Sequence, residues 1–271
     1  MKDLLVELKR FYKKEGRGHL PWRKTKDPYK ILVSEVMLQQ TQVGRVVPFY
    51  KNFIKQFPTP KKLAEAKLSD VLKAWQGLGY NRRAKYLHGV GIALAETRFP
   101  KTAGELEALS GVGPYTARAV AAFAYNRPEV FVETNIRTVL FYHGLVGTKK
   151  VSDTALFPLV AELLKKSKMQ PRDFYAALMD YGSHLKQQGV RLNKQSKHYA
   201  KQSKFEGSAR QLRGAILREL LQKPAPLSVL TKSFVKKFSP ARSKGEIERE
   251  LKRLEAEGMV VLQRGRFRIP Y

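Results

Sequence analysis

Glu35 is the single acid in the apolar run Ile31-Leu32-Val33-Ser34-Glu35-Val36-Met37-Leu38. Most lone acids in such helices lie on the solvent face. Buried instead, a carboxyl group loses hydration, its pKa rises, and it can deliver a proton near neutral pH. The residues that follow, Gln39-Gln40-Thr41-Gln42, hydrogen-bond without carrying charge. That composition suits contact with base edges in a wedged duplex, where charged groups would suffer desolvation. A second stretch, Leu109-Ser110-Gly111-Val112-Gly113-Pro114-Tyr115-Thr116, places two glycines one residue apart ahead of a helical run. Such a turn can be ordinary. It can also aim backbone N–H groups at a phosphate, helped by the helix dipole and needing no basic side chain. A third, Gly77-Leu78-Gly79-Tyr80-Asn81-Arg82-Arg83, sets an aromatic ring at the tip of a glycine turn. Tyr80 is either a core aromatic or a ring that stacks beside a base, with Arg82 and Arg83 next to it as nucleic-acid contacts.

Short helices must position these groups. Three- and four-residue apolar spacing predicts helices over Tyr29–Gln42, Val46–Gln56, Leu68–Gln76 and Arg82–Glu96, and over Ala103–Leu109 and Thr116–Tyr125 on either side of the glycine turn. Pro58-Thr59-Pro60, Gly77-Leu78-Gly79, Pro100 and Gly111–Pro114 punctuate them. Residues 1–207 therefore read as an all-α unit with two lobes, one over about 22–130 and the other from 1–21 and 131–207. Residues 208–271 read as a second domain. Ser208 caps a helix through Gln222, Ser228–Phe238 forms another, and Ser243 caps a third ending at Gly258. Met259–Leu262 and Arg266–Ile269 then form a hairpin, which makes a winged-helix-like α+β domain.

The 271 residues carry 52 Lys and Arg against 23 Asp and Glu, a net charge of +29. Charge of that size needs a polyanion nearby, and its dispersal over the chain favours nucleic acid over a membrane surface. A hydrophobic share of 43% excludes a disordered basic tail. The absence of Cys excludes disulfides, thiolate metal sites and Cys-ligated clusters. No run approaches the roughly 18 apolar residues of a membrane span, and Met1–Glu7 lacks a signal-peptide core. A cytoplasmic protein is expected, nucleoid-associated in a bacterium, and acting as a monomer. The C-terminal domain holds 15 basic and 6 acidic residues, but its third helix carries Glu246, Glu248, Glu250, Glu255 and Glu257. That acidity argues against deep groove insertion. It leaves backbone contact by Arg264, Arg266 and Arg268, or a protein partner.

In this order the blocks resemble the helix-hairpin-helix DNA glycosylases, most closely their MutY-like adenine glycosylase branch. The resemblance spans about residues 20–185. It rests on Pro21-Trp22-Arg23, Ser34–Val43, Gly77–Tyr80, Leu109–Ala117, Val132–Val139 and Phe174–Gly182. It implies excision of a mispaired or damaged base from double-stranded DNA, adenine opposite 8-oxoguanine or guanine first. Another target base (mismatched thymine or uracil, or a deaminated purine) and a weakly catalytic lesion binder are the alternatives. By resemblance Glu35 is the general acid, Glu133 stabilises the sugar cation, and Tyr115 and Asn135 position both. Gln39, Gln40, Thr41 and Tyr80 insert near the lesion, with Arg82 and Arg83 beside them, and Gly111, Val112 and Gly113 hold a phosphate. Tyr115 lies where bifunctional relatives keep a Schiff-base Lys, so no lyase step by that route is expected.

Three departures stand out. Glu133 replaces the family's Asp and is one methylene longer, while Thr134 replaces its Gly. An acid at that place could also serve only the helix dipole. The cysteines of the iron–sulfur cluster fall near Lys186, Asn193, Ser196 and Gln202, so no cofactor is expected. The nucleotide-hydrolase-like domain that checks for 8-oxoguanine is replaced by residues 208–271.

Overall fold

The computed structural model describes every residue except 148, 149, 201, 203, 239–241 and 271. The chain divides into two compact units, Met1–Glu35 with Phe99–Lys201, and Val36–Arg98 with Gln202–Tyr271. This division differs from the lobes expected at 22–130 and 131–207. The C-terminal residues cluster with 36–98, and the chain leaves the first unit inside one helix, directly after Glu35.

The first unit is helical throughout its regular elements. It holds α1 (Lys2–Glu15), a 3-10 turn at Pro21–Arg23, the start of α2 (Pro28–Leu38), α7 (Ala103–Glu107), α8 (Pro114–Tyr125), α9 (Thr134–Tyr142), α10 (Asp153–Ser167) and α11 (Pro171–Gln187). Asp27 starts α2 by accepting the N–H groups of Tyr29 and Lys30 on its Oδ1. A capping box between Thr102 and Glu105 starts α7. The turn after α7 uses Gly111 at φ +87°, and Pro114 then fits the first position of α8, where no N–H is needed. The helices flanking this turn therefore end and begin two residues away from the sequence expectation. α11 buries Phe174, Tyr175, Ala177, Leu178 and Tyr181 and packs on α9. At Gly182 the two helices cross so closely that a Cβ would stand 2.2 Å from the Asn135 carbonyl oxygen.

The second unit contains α3 (Val43–Gln56), α4 (Pro60–Ala64), α5 (Leu68–Trp75) and α6 (Arg82–Ala93). It also contains α12 (Ala209–Gln222), α13 (Leu227–Lys237), α14 (Lys244–Ala256) and the hairpin of β1 (Val261–Gln263) and β2 (Arg266–Arg268). Ser208 and Ser243 cap α12 and α14 as expected. Ala225, read from sequence only as part of a Pro-rich break, pairs antiparallel with Phe267, so the wing has a third extended segment. The glutamates of α14 serve the domain itself. Glu246 closes the capping box, Glu250 meets Arg253 and Arg213, and Glu257 meets Arg213 at 2.5 Å.

The clearest departure concerns the end of α2. The helix was expected to run to Gln42 but stops at Leu38, with Gln40 in the left-handed region at φ +55°. Arg83 accounts for the stop. Its Nη1 donates to the carbonyls of Val36 (2.9 Å), Met37 (3.0 Å) and Gln39 (2.5 Å), groups that a longer helix would have bonded internally. Its Nη2 donates to the Leu78 and Gly79 carbonyls and to Thr41 Oγ1. Burial lowers its pKa to about 10, so it keeps its charge at neutral pH, held by carbonyl dipoles at a helix C-terminus. Arg83 is thus a scaffold residue and not the DNA contact expected. Arg83→Met should destabilise the protein by roughly 3 kcal/mol or more, because it strands several buried carbonyls. Urea denaturation of the variant against wild type measures this.

Candidate active site

α2 is apolar on nearly every face, with Tyr29, Ile31, Leu32, Val33, Val36 and Met37 all buried. A residue at position 35 is carried inside with them. Glu35 is only 6% exposed, which decides against the solvent-face reading. Burial pushes its pKa up to about 7, further than the nearby Arg23 charge and a hydrogen bond from Tyr115 pull it down, and Glu133 adds to the rise. The hydroxyl of Tyr115, on the first turn of α8, donates to Glu35 Oε2 at 3.2 Å. The ring of Tyr115 stands edge-on to Phe131 (centroids 5.6 Å apart), and Phe131 stacks on Tyr175 at 3.8 Å. Desolvation, then both carboxylates, raise the Tyr115 pKa well above its ordinary value, so it stays a phenol.

Glu133 occupies the N-cap of α9. Its Oε1 accepts the N–H groups of Asn135 (2.8 Å) and Ile136 (3.0 Å), and its Oε2 accepts the Asn135 side-chain amide at 3.2 Å. The carboxylate thus caps its own helix, so the helix-start role suggested by sequence is present here. Lys186, from α11, donates to Asn135 Oδ1 at 2.8 Å. Burial raises the Glu133 pKa, opposed by the two backbone donors and by the charges of Lys186 and Arg137. The first unit thus brings together Glu35, Tyr115, Glu133 and Asn135 as one electrostatically connected set.

Three further residues of this set carried no role in the sequence reading. Lys186 orients Asn135. Asp180, buried in α11, accepts the Arg17 backbone N–H and its Nε, each at 2.8 Å, and lies 3.6 Å from Arg23. Arg23 is the cation nearest in effect to Glu35, and its Nη1 is buried with no hydrogen-bond partner among the described residues. For Asp180 the available signal was a charge inside the otherwise apolar stretch 174–181, whereas Arg23, followed by Lys24, Lys26 and Asp27, carried no such signal.

In the hairpin turn Gly111 and Gly113 are exposed, and a Cβ at Gly113 would meet nothing within 4 Å. Val112 is a correction. It is buried, and its N–H donates to the Leu109 carbonyl, so it anchors the turn and does not face a phosphate. In the second unit Gln40 is exposed, Gln39 is half-buried, and Thr41 accepts from Arg83. Arg82 hydrogen-bonds Tyr86. Tyr80 takes a left-handed backbone at φ +49°, directly after Gly79 at φ +72°.

The profile of the HhH-GPD superfamily base excision DNA repair proteins matches residues 33–165, which include Glu35, Tyr115 and Glu133. An adenine DNA glycosylase of Mycolicibacterium smegmatis is 34% identical over 94% of this chain and 92% of its own length. This chain belongs to the adenine DNA glycosylase branch of that superfamily. The adenine DNA glycosylase of Mycobacterium tuberculosis is 40% identical over 64% of this chain, which spans only 58% of that relative's length. Among solved structures, a thermostable thymine-DNA glycosylase shares the fold at a TM-score of 0.58 and 26% identity, over 73% of this chain and 95% of the other. An endonuclease III–DNA covalent intermediate shares the fold at 0.54 and 19% identity, over 68% of this chain and 84% of the other.

The iron–sulfur cluster implied by the family resemblance does not fit this chain, which has no cysteine. Lys186 and Asn193, at two of the expected thiolate positions, bond Asn135 and Thr138 instead, and Ser196 Oγ accepts the His198 N–H. Gln202 bonds Tyr80. Among the described residues no three His, Asp or Glu side chains converge as metal ligands.

The raised pKa of Glu35 has a consequence for stability. The folded state holds this proton more tightly than the unfolded chain, so its contribution is complete below about pH 4.5 and is lost as pH rises through about 7. Glu35→Gln should therefore stabilise the protein by about 3 kcal/mol at pH 8 and hardly at all at pH 4.5. Urea midpoints at the two pH values test the sign.

Proposed function

We propose that this chain removes adenine from duplex DNA by hydrolysing its N-glycosidic bond, with adenine opposite 8-oxoguanine or guanine as the preferred substrate. The observation that carries the reading is Glu35, a buried carboxylic acid with its pKa near 7, bonded to Tyr115 and coupled to a second carboxylate. The matching relatives, which bear the name adenine DNA glycosylase, support the choice of base.

The target nucleotide must leave the stack, because its reacting atoms are unreachable inside the duplex. Glu35 donates its proton to N7 of the extruded adenine. The C1′–N9 bond then breaks, its electron pair leaves with the protonated base, and the sugar becomes an oxocarbenium ion. The Glu133 carboxylate, oriented by the α9 N–H groups and Asn135, stabilises that cation. Water attacks C1′ and gives its proton to the Glu35 carboxylate, which restores the acid. Tyr115 holds Glu35 in place and, being a phenol, forms no Schiff base. Gly111 and Gly113, ahead of the start of α8, receive a backbone phosphate. No step uses a cluster, since the chain has no cysteine to bind one. The protein acts as a monomer on double-stranded DNA, in the cytoplasm or on a bacterial nucleoid.

A second reading, a lesion binder with weak catalysis, has one observation in its favour: Glu133 is committed to its own helix N-cap. Single-turnover assays on A:8-oxoguanine, A:G, T:G, U:G and hypoxanthine duplexes separate the two. The wild type should release adenine, and Glu35→Gln should lose about 100-fold or more in rate while keeping its DNA affinity. The rate should fall about tenfold per pH unit above pH 7, as Glu35 loses its proton. No excision from any of these duplexes would leave only the binder.

A further inference from the structure

The proposed chemistry makes no use of the C-terminal hairpin. β1 and β2 pair in the register Val261–Arg268, Leu262–Phe267 and Gln263–Arg266, and Ala225 extends the ribbon on the β2 side. Side chains opposite one another share a face, so Gln263, Arg266 and Arg268 stand on one side of it. Arg268 donates to Gln263 Oε1 at 2.8 Å, a strut across the two strands. The turn is Arg264-Gly265, both in left-handed backbone at φ +49° and +71°, the signs that a two-residue type I′ turn requires. Gly, Asn or Asp would take the first of these places with less strain. An arginine held there against that preference points to a use for its side chain.

Charge around the hairpin is unbalanced. Residues 259–270 contain three arginines and no acid. Arg264 and Arg266 are exposed and make no hydrogen bond or ion pair among the described residues. The glutamates of α14 and its end are engaged elsewhere. Glu246 meets Ser243 and Arg242, Glu248 meets Lys244, Glu250 meets Arg213 and Arg253, and Glu257 meets Arg213. Glu255 accepts the Leu262 N–H at 3.3 Å and so bonds the backbone of β1. None of the five is bonded to the tip. The domain therefore ends in a narrow ribbon that carries two unneutralised guanidinium groups.

We propose that this hairpin grips the sugar–phosphate backbone of duplex DNA through Arg264 and Arg266, without reading bases. A guanidinium group matches phosphate through paired N–H donors. Strands about 4.8 Å apart make a ribbon slimmer than the roughly 12 Å major groove, so the tip fits between two phosphate ridges. A lipid surface would call for bulky apolar residues at the tip, where Gln263, Arg264, Gly265 and Arg266 stand instead. The proposal rests on the reading above in one respect, that the ligand is duplex DNA. It gives the C-terminal domain a task of its own, which is to hold the protein on DNA of any sequence.

Salt-dependent binding tests it, with excision scored separately. The full chain and its Arg264→Gln/Arg266→Gln double variant would be titrated onto two undamaged duplexes of unrelated sequence. A third duplex would carry an uncleavable tetrahydrofuran abasic nucleotide. Each lost phosphate contact lowers the slope of log affinity against log salt by about 0.9. Wild-type affinity should therefore fall about tenfold further than the variant's between about 50 and 200 mM salt, alike on all three duplexes. Arg264→Asn alone should lose half of that slope difference and melt at the same or a higher temperature, since Asn adopts left-handed backbone more readily. Equal slopes for wild type and double variant would overturn the proposal and leave the hairpin to a protein partner. A loss confined to one sequence or to the abasic duplex would also overturn it, making the tip a base or lesion contact. If the wild type excises adenine and the slopes are equal, the hairpin assignment fails while the activity stands. If nothing is excised but the slopes differ as expected, the activity reading fails and the backbone grip stands.

Discussion

A carboxylic acid kept inside a helix that is apolar on nearly all sides is the constraint on which the site depends. Desolvation alone would make Glu35 a passive neutral group. The surroundings temper that push, since Arg23 and the Tyr115 hydroxyl both favour the anion. The balance falls where the proton can leave and return around neutrality, which suits the proposed use of Glu35 first as acid and then as base. The aromatic stack of Tyr115, Phe131 and Tyr175 fixes one of those surroundings by packing, so the phenol cannot drift from the carboxylate.

The second carboxylate is governed by backbone. Glu133 is oriented by the N–H groups of the helix it begins, and Asn135 is oriented in turn by Lys186. Where the family resemblance would place a metal cluster in the following segment, this chain uses side-chain hydrogen bonds onto α9, from Lys186 to Asn135 and from Asn193 to Thr138. Each such bond is modest, about 1 kcal/mol net, yet together they tie the loop to the helix that begins at Glu133.

Much of this was legible in the sequence. The helices, their Ser and Thr caps, the glycine turn and the hairpin follow from local periodicity and turn chemistry, which read correctly because each element agrees with its own residues. Glu35 was visible as a candidate, but its burial was not, because periodicity cannot separate a buried helix from one whose single acid faces water. What remained hidden was long-range. Nothing local says that Arg83 reaches back 47 residues to end α2, or that Ala225 between two prolines pairs with Phe267. The internal pairing of the acid-rich α14 was hidden in the same way, since its partner Arg213 lies on another helix. The grouping of residues 208–271 with 36–98 is likewise a tertiary fact with no local signature.

The crossing at Gly182 extends the functional region beyond the residues that do chemistry. Position 182 holds no polar side chain, yet any side chain there would press on the main chain of Asn135. The displaced α9 start would carry the Glu133 carboxylate with it. An inherited change at this glycine would therefore resemble loss of the Glu133 carboxylate itself, in a protein whose core residues and Glu35 were all intact.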